Sequence, residues 1–373
     1  MMKKNLFWPL VLIILLVFSG CASSNSAAEN TAGQNTAGQM SANTARQNKE
    51  KLMEYLYQEQ GKRILAGQMD TSWSNYIDPV ARVYKDTGRY PAIKGFDFLN
   101  IRHPEWEGGG SQQTRDAINW WRNSPIKGKN GIVTFCWHWR MPLSGSARGA
   151  AENYTRGFTI PYKDGKLDRT DPRFTLIQDD LDLVAAELAK LRDAGVPVLW
   201  RPLHEAAGGW FWWGANAIPY IALWEYMHDY FTNEKGLDNL IWVWNGQNGN
   251  WYPNPDTVDI ASYDAYESNR ERPGYEPNYA NDWHHLYTQL KTWAPGKLAA
   301  LSENGAIPDP AVIFEGETYW SWFMTWDDHS TAAGVTSKNN HWTGEYHNTN
   351  AHKKYVYRHS RVVTLDKLPQ FSK

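Results

Sequence analysis

Cysteine is almost absent. Of 373 residues only Cys21 and Cys136 are cysteine, so the body of the chain cannot form an internal disulfide. No Cys and His residues stand at the spacing of a metal site, and no metal is expected. Cys136 lies inside an apolar run and reads as an inert core thiol. Charge of one sign is also lacking. A net charge of −2 argues against nucleic acid or an anionic surface as partner. There is no Gly-rich phosphate loop and no Gly-x-Ser-x-Gly elbow, so neither a phosphate cradle nor a serine-nucleophile turn is on offer. No cofactor is implied.

Long apolar runs are scarce too. Leu6 to Phe18 is too short for a comfortable membrane-spanning helix. Preceded by Lys3 and Lys4 and followed by Ser19 and Gly20, it reads as a secretory signal over residues 1–20. Phe-Ser-Gly-Cys resembles a bacterial lipobox, in which Cys21 is lipidated after cleavage. Phe18 stands where Leu is usual. Ala22 occupies the place where an inner-membrane retention signal carries Asp, so an outer-membrane anchor is expected, facing the cell surface or the periplasm. Residues 21–46 carry the lipidated cysteine and a stretch of Ala, Ser, Asn, Thr, Gly and Gln. Asn-Thr-Ala-Gly-Gln occurs there twice in tandem, at Asn30 and Asn35. Such a composition buries no core and predicts a flexible tether. Residues 47–373 are expected to form one catalytic domain.

Tryptophan is abundant: 21 residues, with 20 tyrosines. Half or more of these rings are expected in the core. The rest suit stacking on the C–H faces of sugars. Eight strand candidates follow in order: Arg63–Met69, Ala92–Leu99, Gly131–Trp139, Val196–Glu205, Leu240–Asn245, Val258–Tyr266, Leu298–Glu303 and Trp320–Trp326. Most are near-continuous apolar runs, the pattern of parallel strands buried on both faces. Helical patterns alternate with them, such as the stripe Leu181, Val184, Leu188, Leu191. Eight strand–helix alternations predict a single (β/α)₈ TIM barrel.

In such a barrel the C-terminal strand ends carry the chemistry. Glu205 closes the fourth strand candidate and Glu303 the seventh, which brings them to facing sides of the barrel mouth. A lone glutamate is usually a surface residue. Two carboxylates meeting over an aromatic cleft are the machinery for cleaving a glycosidic bond. Arg201 is placed to support one or other of them by charge-assisted hydrogen bonding.

Trp-Arg-Pro-Leu-His-Glu (Trp200–Glu205) followed by Gly-Gly-Trp-Phe-Trp-Trp-Gly (Gly208–Gly214) resembles glycoside hydrolase family 26, dominated by β-mannanases. Phe135–Trp139, Ser262–Tyr266 and Leu301–Gly305 match the family in the same order, and the resemblance spans residues 50–373. It implies a retaining mechanism with Glu205 as acid/base and Glu303 as nucleophile. His204 and His138 match the histidines at subsite −1, and Trp210 matches a tryptophan that shapes that subsite. Tyr266 matches the tyrosine that orients the nucleophile, with Asp264 two residues earlier on the same strand face. Trp326 matches the floor of −1, with Trp320 and Trp322 as competitors. Trp212 and Trp213 are expected to flank the glycone or the aglycone side.

Many relatives carry Arg after that floor tryptophan; here Asp327 and Asp328 follow. That departure leans toward short-chain release. The expected substrate is β-1,4-mannan, glucomannan or galactomannan, or the derived manno-oligosaccharides. Two alternatives stand beside it. One is the same catalysts on mixed-linkage β-glucan or β-1,3-xylan. The other is a non-catalytic glycan-binding lipoprotein, against which the two glutamates and two histidines argue.

Overall fold

The computed structural model describes residues 26–71, 78–106, 108–143, 154–329 and 335–372, with side chains from residue 42 onward. Eight parallel strands close into a barrel: β1 (Ile64–Met69), β2 (Ile93–Asp97), β3 (Ile132–Cys136), β4 (Val198–Arg201), β5 (Leu240–Trp244), β6 (Ile260–Ala265), β7 (Leu298–Asn304) and β8 (Trp322–Thr325). Neighbours pair in sequence order, and β8 returns to β1 through Leu65–Trp322 to Gln68–Thr325. Val362–Val363 adds a short parallel piece beside the start of β1.

Sequence dictates the strands simply. Leu-Ile-Trp-Val-Trp of β5 and Leu-Ala-Ala-Leu-Ser-Glu-Asn of β7 are buried at every position, so no polar–apolar alternation is needed. Side chains fill the barrel, and Gly95 makes room for one of them. A Cβ there would meet Met69 Sδ at 2.5 Å. The surrounding helices start on built caps. Asp78 accepts from Ala81 N before Pro79–Thr87, and Asp171 accepts from Arg173 N before Pro172–Asp193, each with Pro at the first turn. The apolar stripe Leu181, Val184, Leu188, Leu191 is fully buried on the second of these helices.

Two boundaries differ from expectation. Residues 26–59 form a helix, so the span read as tether is helical from Ser26. The compact unit that holds the barrel begins at Ser41 rather than residue 47. Ala45 and Asn48 are buried in it, and Asn48 Nδ2 donates to Gly195 O at 2.8 Å. The signal segment and Cys21 lie outside the described residues.

The fourth strand also stops early. Pro202 has no N–H to continue the ladder, and Leu203 and Glu205 adopt left-handed φ values of 51° and 53°. The chain therefore turns at the barrel mouth, and Glu205 sits on that turn.

Candidate active site

Glu303 stands near the end of β7 and is 5 % exposed. Both its oxygens have donors. Arg201, the last residue of β4, gives Nη2 to Oε1 at 2.5 Å, and Tyr266 Oη donates to Oε2 at 2.9 Å. The other fork of Arg201, Nη1, binds Asp264 Oδ2 at 2.8 Å. Burial works against the Arg201 charge, but Asp264 and Glu303 outweigh it and hold its pKa up. Asp264 Oδ1 in turn accepts from Asn245 Nδ2 at 3.0 Å and Ser302 Oγ at 2.8 Å. The guanidinium is thus locked between two buried carboxyls. Burial, then Asp264, push Glu303 up to about 7, while Arg201 and then His138 pull it down.

Glu205 is held differently. Its backbone N–H donates to Asn245 O at 2.7 Å and to Asn245 Oδ1 at 2.9 Å, which fixes the strained turn. Its carboxyl receives Trp210 Nε1 at 3.0 Å. Trp210 is 46 % exposed, with its ring across Gly208; a Cβ at Gly208 would lie 2.1 Å from the indole. Burial first, then Asp264 and Glu303, push the Glu205 pKa well up, and Arg201 only partly offsets them. One oxygen each of Glu205, Asp264 and Glu303 lie within 4.8 Å of one another. Two carboxyls this close share their protons and titrate in steps. Among the described residues Glu303 has a cation and a phenol to stabilise its anion, whereas Glu205 has one neutral donor. The first proton therefore leaves Glu303 and the second leaves Glu205.

The histidines form the adjoining wall. His138 follows β3, and its Nδ1 lies 2.5 Å from Asp97 Oδ2. His138 Nε2 lies 3.3 Å from His204 Nε2. Phe211 and Tyr154 pack near His138 with ring centroids at 5.7 and 5.3 Å, and Trp326 stands at 6.0 Å. Arg201, Glu205, Asp264, Tyr266 and Glu303 thus share one cluster. His138, His204 and Trp326 share the next.

Some tryptophans stand elsewhere than expected. Trp212 and Trp213 are buried and stack on no substrate surface. Their indole N–H groups donate to Trp139 O at 2.7 Å and His204 O at 2.8 Å, so they brace the wall from behind. Trp320 and Trp322 are also buried, which leaves Trp326 as the partly exposed ring of β8's end. Asp328 accepts the backbone N–H of Trp342 and Thr343 at 2.8 and 2.9 Å. Asp327 is buried as well, and burial followed by Asp328 pushes its pKa well up.

Sequence reasoning missed Asp97, Asn245 and Ser302. Each lies at the C-terminal end of a barrel strand or directly after it, and that position was the available signal. Asp97, Cys136 and His138 also bring donor atoms within 4.8 Å of one another. Cys136, however, points its thiol at Phe96 O (3.7 Å), and burial raises its pKa well above the thiol range. A neutral thiol beside an existing Asp–His contact is a poor metal donor set. In the carboxyl cluster, Asp264 and Glu303 are already engaged by Arg201.

Comparison with known proteins gives a consistent set of relatives. The family described as Glycosyl hydrolase family 26 matches residues 41–367. A mannan endo-1,4-beta-mannosidase of Thermothelomyces thermophilus is 36 % identical over 325 residues, covering 85 % of this chain and 60 % of the relative. A mannan endo-1,4-beta-mannosidase A of Piromyces sp is 31 % identical, covering 87 % of this chain and 49 % of the relative. The chain thus spans about half to three fifths of the length of these relatives. Among solved structures, a beta-mannanase from a symbiotic protist of the termite Reticulitermes speratus, complexed with gluco-manno-oligosaccharide, is 29 % identical. It superposes with a TM-score of 0.68, covering 86 % of this chain and 94 % of that one.

Proposed function

The chain belongs to glycosyl hydrolase family 26, and on that footing we propose that it hydrolyses β-1,4-mannosidic bonds within mannan, glucomannan or galactomannan chains by double displacement. The observation that carries the reading is the unequal pair at the mouth. Among the described residues Glu303 is served by Arg201 and Tyr266 and Glu205 by Trp210, with carboxyl oxygens within 4.8 Å. That closeness suits a retaining enzyme, whose carboxyls lie about 5–5.5 Å apart, and leaves no room for the water of an inverting one. Relatives named as mannan endo-1,4-beta-mannosidases support the choice of glycan and of internal cleavage.

The steps follow from the geometry. Glu303, ionised, attacks the anomeric carbon. Glu205, protonated, gives its proton to the leaving oxygen and then, ionised, takes one from water. Tyr266 and Arg201 hold both Glu303 oxygens, so the attacking lone pair is aimed rather than free to rotate. His138, His204 and Trp326 line the sugar side of the nucleophile. A panel of β-glycans tests the reading. Reducing ends should appear on mannan, glucomannan or galactomannan, with an early fall in galactomannan viscosity. Release from mixed-linkage β-glucan or β-1,3-xylan alone would overturn it, and no release from any glycan would favour a binding protein.

We also propose a lipid anchor at Cys21 that holds the enzyme to the outer membrane. Support comes from Phe-Ser-Gly-Cys after an apolar run. Labelled palmitate should enter the chain in a bacterial host and be lost in Cys21→Ser; equal labelling of both would contradict the anchor.

A further inference from the structure

Asp97 closes β2 and is 1 % exposed. It accepts two backbone N–H groups on Oδ1, from Leu99 at 2.8 Å and from His138 at 3.0 Å, and its Oδ2 lies 2.5 Å from His138 Nδ1. Hydrogen bonds from N–H donors favour the charged form of a carboxyl. A carboxylate so deeply buried needs a counter-charge. Among the described residues its one ion pair is with His138. On the far side of that ring, two histidine nitrogens meet at 3.3 Å, and such a contact holds only if one of them carries a proton.

We propose that Asp97 is a positioning residue that keeps His138 as an imidazolium at neutral pH, and that this cation fixes His204 as a neutral ring and helps hold Glu303 ionised. The proposal rests on the glycosidase reading for its kinetic part only. His138 Nδ1–H then donates to Asp97 and Nε2–H to His204 Nε2, which places the His204 proton on Nδ1. His204 is suited to stay neutral: burial, then His138 and Arg201, hold its pKa well down.

The titratable groups that face His138 are Asp97 from β2, Arg201 and His204 from β4 and its turn, Glu303 from β7, and Tyr154 from the segment before the long helix. Burial and Arg201 oppose charge on His138, whereas Asp97 and Glu303 favour it, and the balance lies upward. Two cations, Arg201 and His138, therefore stand against burial and Asp264 in setting the state of Glu303. Two sites on the structure thus hold Glu303 ionised: the direct clamp by Arg201, and a second route that starts at Asp97.

The sign follows. Without the Asp97 charge, His138 loses its proton at lower pH. Loss of that cation raises the Glu303 pKa. The acidic limb of kcat/KM must then move to higher pH, so activity in weakly acidic buffer falls more than activity at the optimum.

The test uses Asp97→Asn and the parent protein, both selectively ¹⁵N-labelled at histidine. His138 signals are identified by their loss in His138→Gln. In the parent, both His138 ring nitrogens should be protonated at pH 7; in Asp97→Asn, one. The acidic limb should rise by about 0.5–1 pH unit, the size of effect a neighbouring charge exerts. At a pH below the limb, kcat/KM should therefore drop by about three- to tenfold beyond any change at the optimum. A neutral His138 in the parent would overturn the proposal even if Asp97→Asn fails to fold, because that measurement needs neither variant activity nor substrate. An unchanged acidic limb in folded Asp97→Asn would overturn it too. Absence of mannan cleavage by the parent would sink the glycosidase reading and leave the NMR result standing.

Discussion

Glu303→Ala should lower kcat/KM on mannan by on the order of 10⁴- to 10⁶-fold, the range seen when a covalent nucleophile is removed. Asp264 also brings an oxygen within 4.8 Å of Glu303, but Arg201, Asn245 and Ser302 already engage it. The fold should survive. Glu303 is one of two acids on Arg201, so its loss leaves the Arg201–Asp264 pair charge-balanced. Its cost is the unmatched Nη2, about 1–3 kcal/mol. Initial rates on mannan and a denaturant melt check both halves. A variant that keeps a tenth of the parent activity would remove Glu303 from the chemistry, and one that unfolds would make its role structural.

Glu205→Ala is expected to behave differently. On mannan it should lose about 10²- to 10⁴-fold, the usual contribution of general acid–base catalysis. On an aryl β-mannoside with a good leaving group, the loss in forming the glycosyl–enzyme should be much smaller, because departure needs no proton. Breakdown of that intermediate then becomes limiting, and azide should restore rate, since it attacks without a base. The raised Glu205 pKa also gives a pH sign. The protonated form is present below that pKa, so the basic limb of the parent profile belongs to Glu205 and should vanish in Glu205→Ala on the activated substrate. Steady-state rates with and without azide, across pH, read both effects. A retained basic limb would assign it elsewhere.

Much of this architecture is legible in the sequence, for a definite reason. Parallel strands buried on both faces must be apolar throughout, so runs such as Leu-Ile-Trp-Val-Trp stand out. All eight strands fall where those runs do. Their ends are harder. Hydropathy continues through Pro202 and Leu203, while the ladder stops at Arg201 because of a missing N–H and left-handed backbone. The two glutamates are readable because strand ends carry chemistry in a barrel. Asp97, Asn245 and Ser302 are not, because a polar residue after a strand looks like the start of a loop. Only pairing in space shows Asn245 tying the Glu205 turn to Asp264.

Tryptophan content points two ways. Among the described residues eleven of the rings are fully buried, Trp212 and Trp213 included, and composition does not say which face of a ring is free. Asp327 and Asp328 are likewise buried in loop packing rather than set along the cleft, so they give no support to a glycone side reworked for short-chain release.

The central claim is that Glu303 forms a covalent bond to the sugar on one face and Glu205 governs the other. The configuration of the azide product from Glu205→Ala tests it most directly. Azide must enter from the face that Glu205 vacates, opposite the bond to Glu303. Proton NMR should therefore show a β-mannosyl azide, the outcome of two inversions. An α-mannosyl azide would mean a single displacement with no glycosyl–enzyme on Glu303, and would contradict the account.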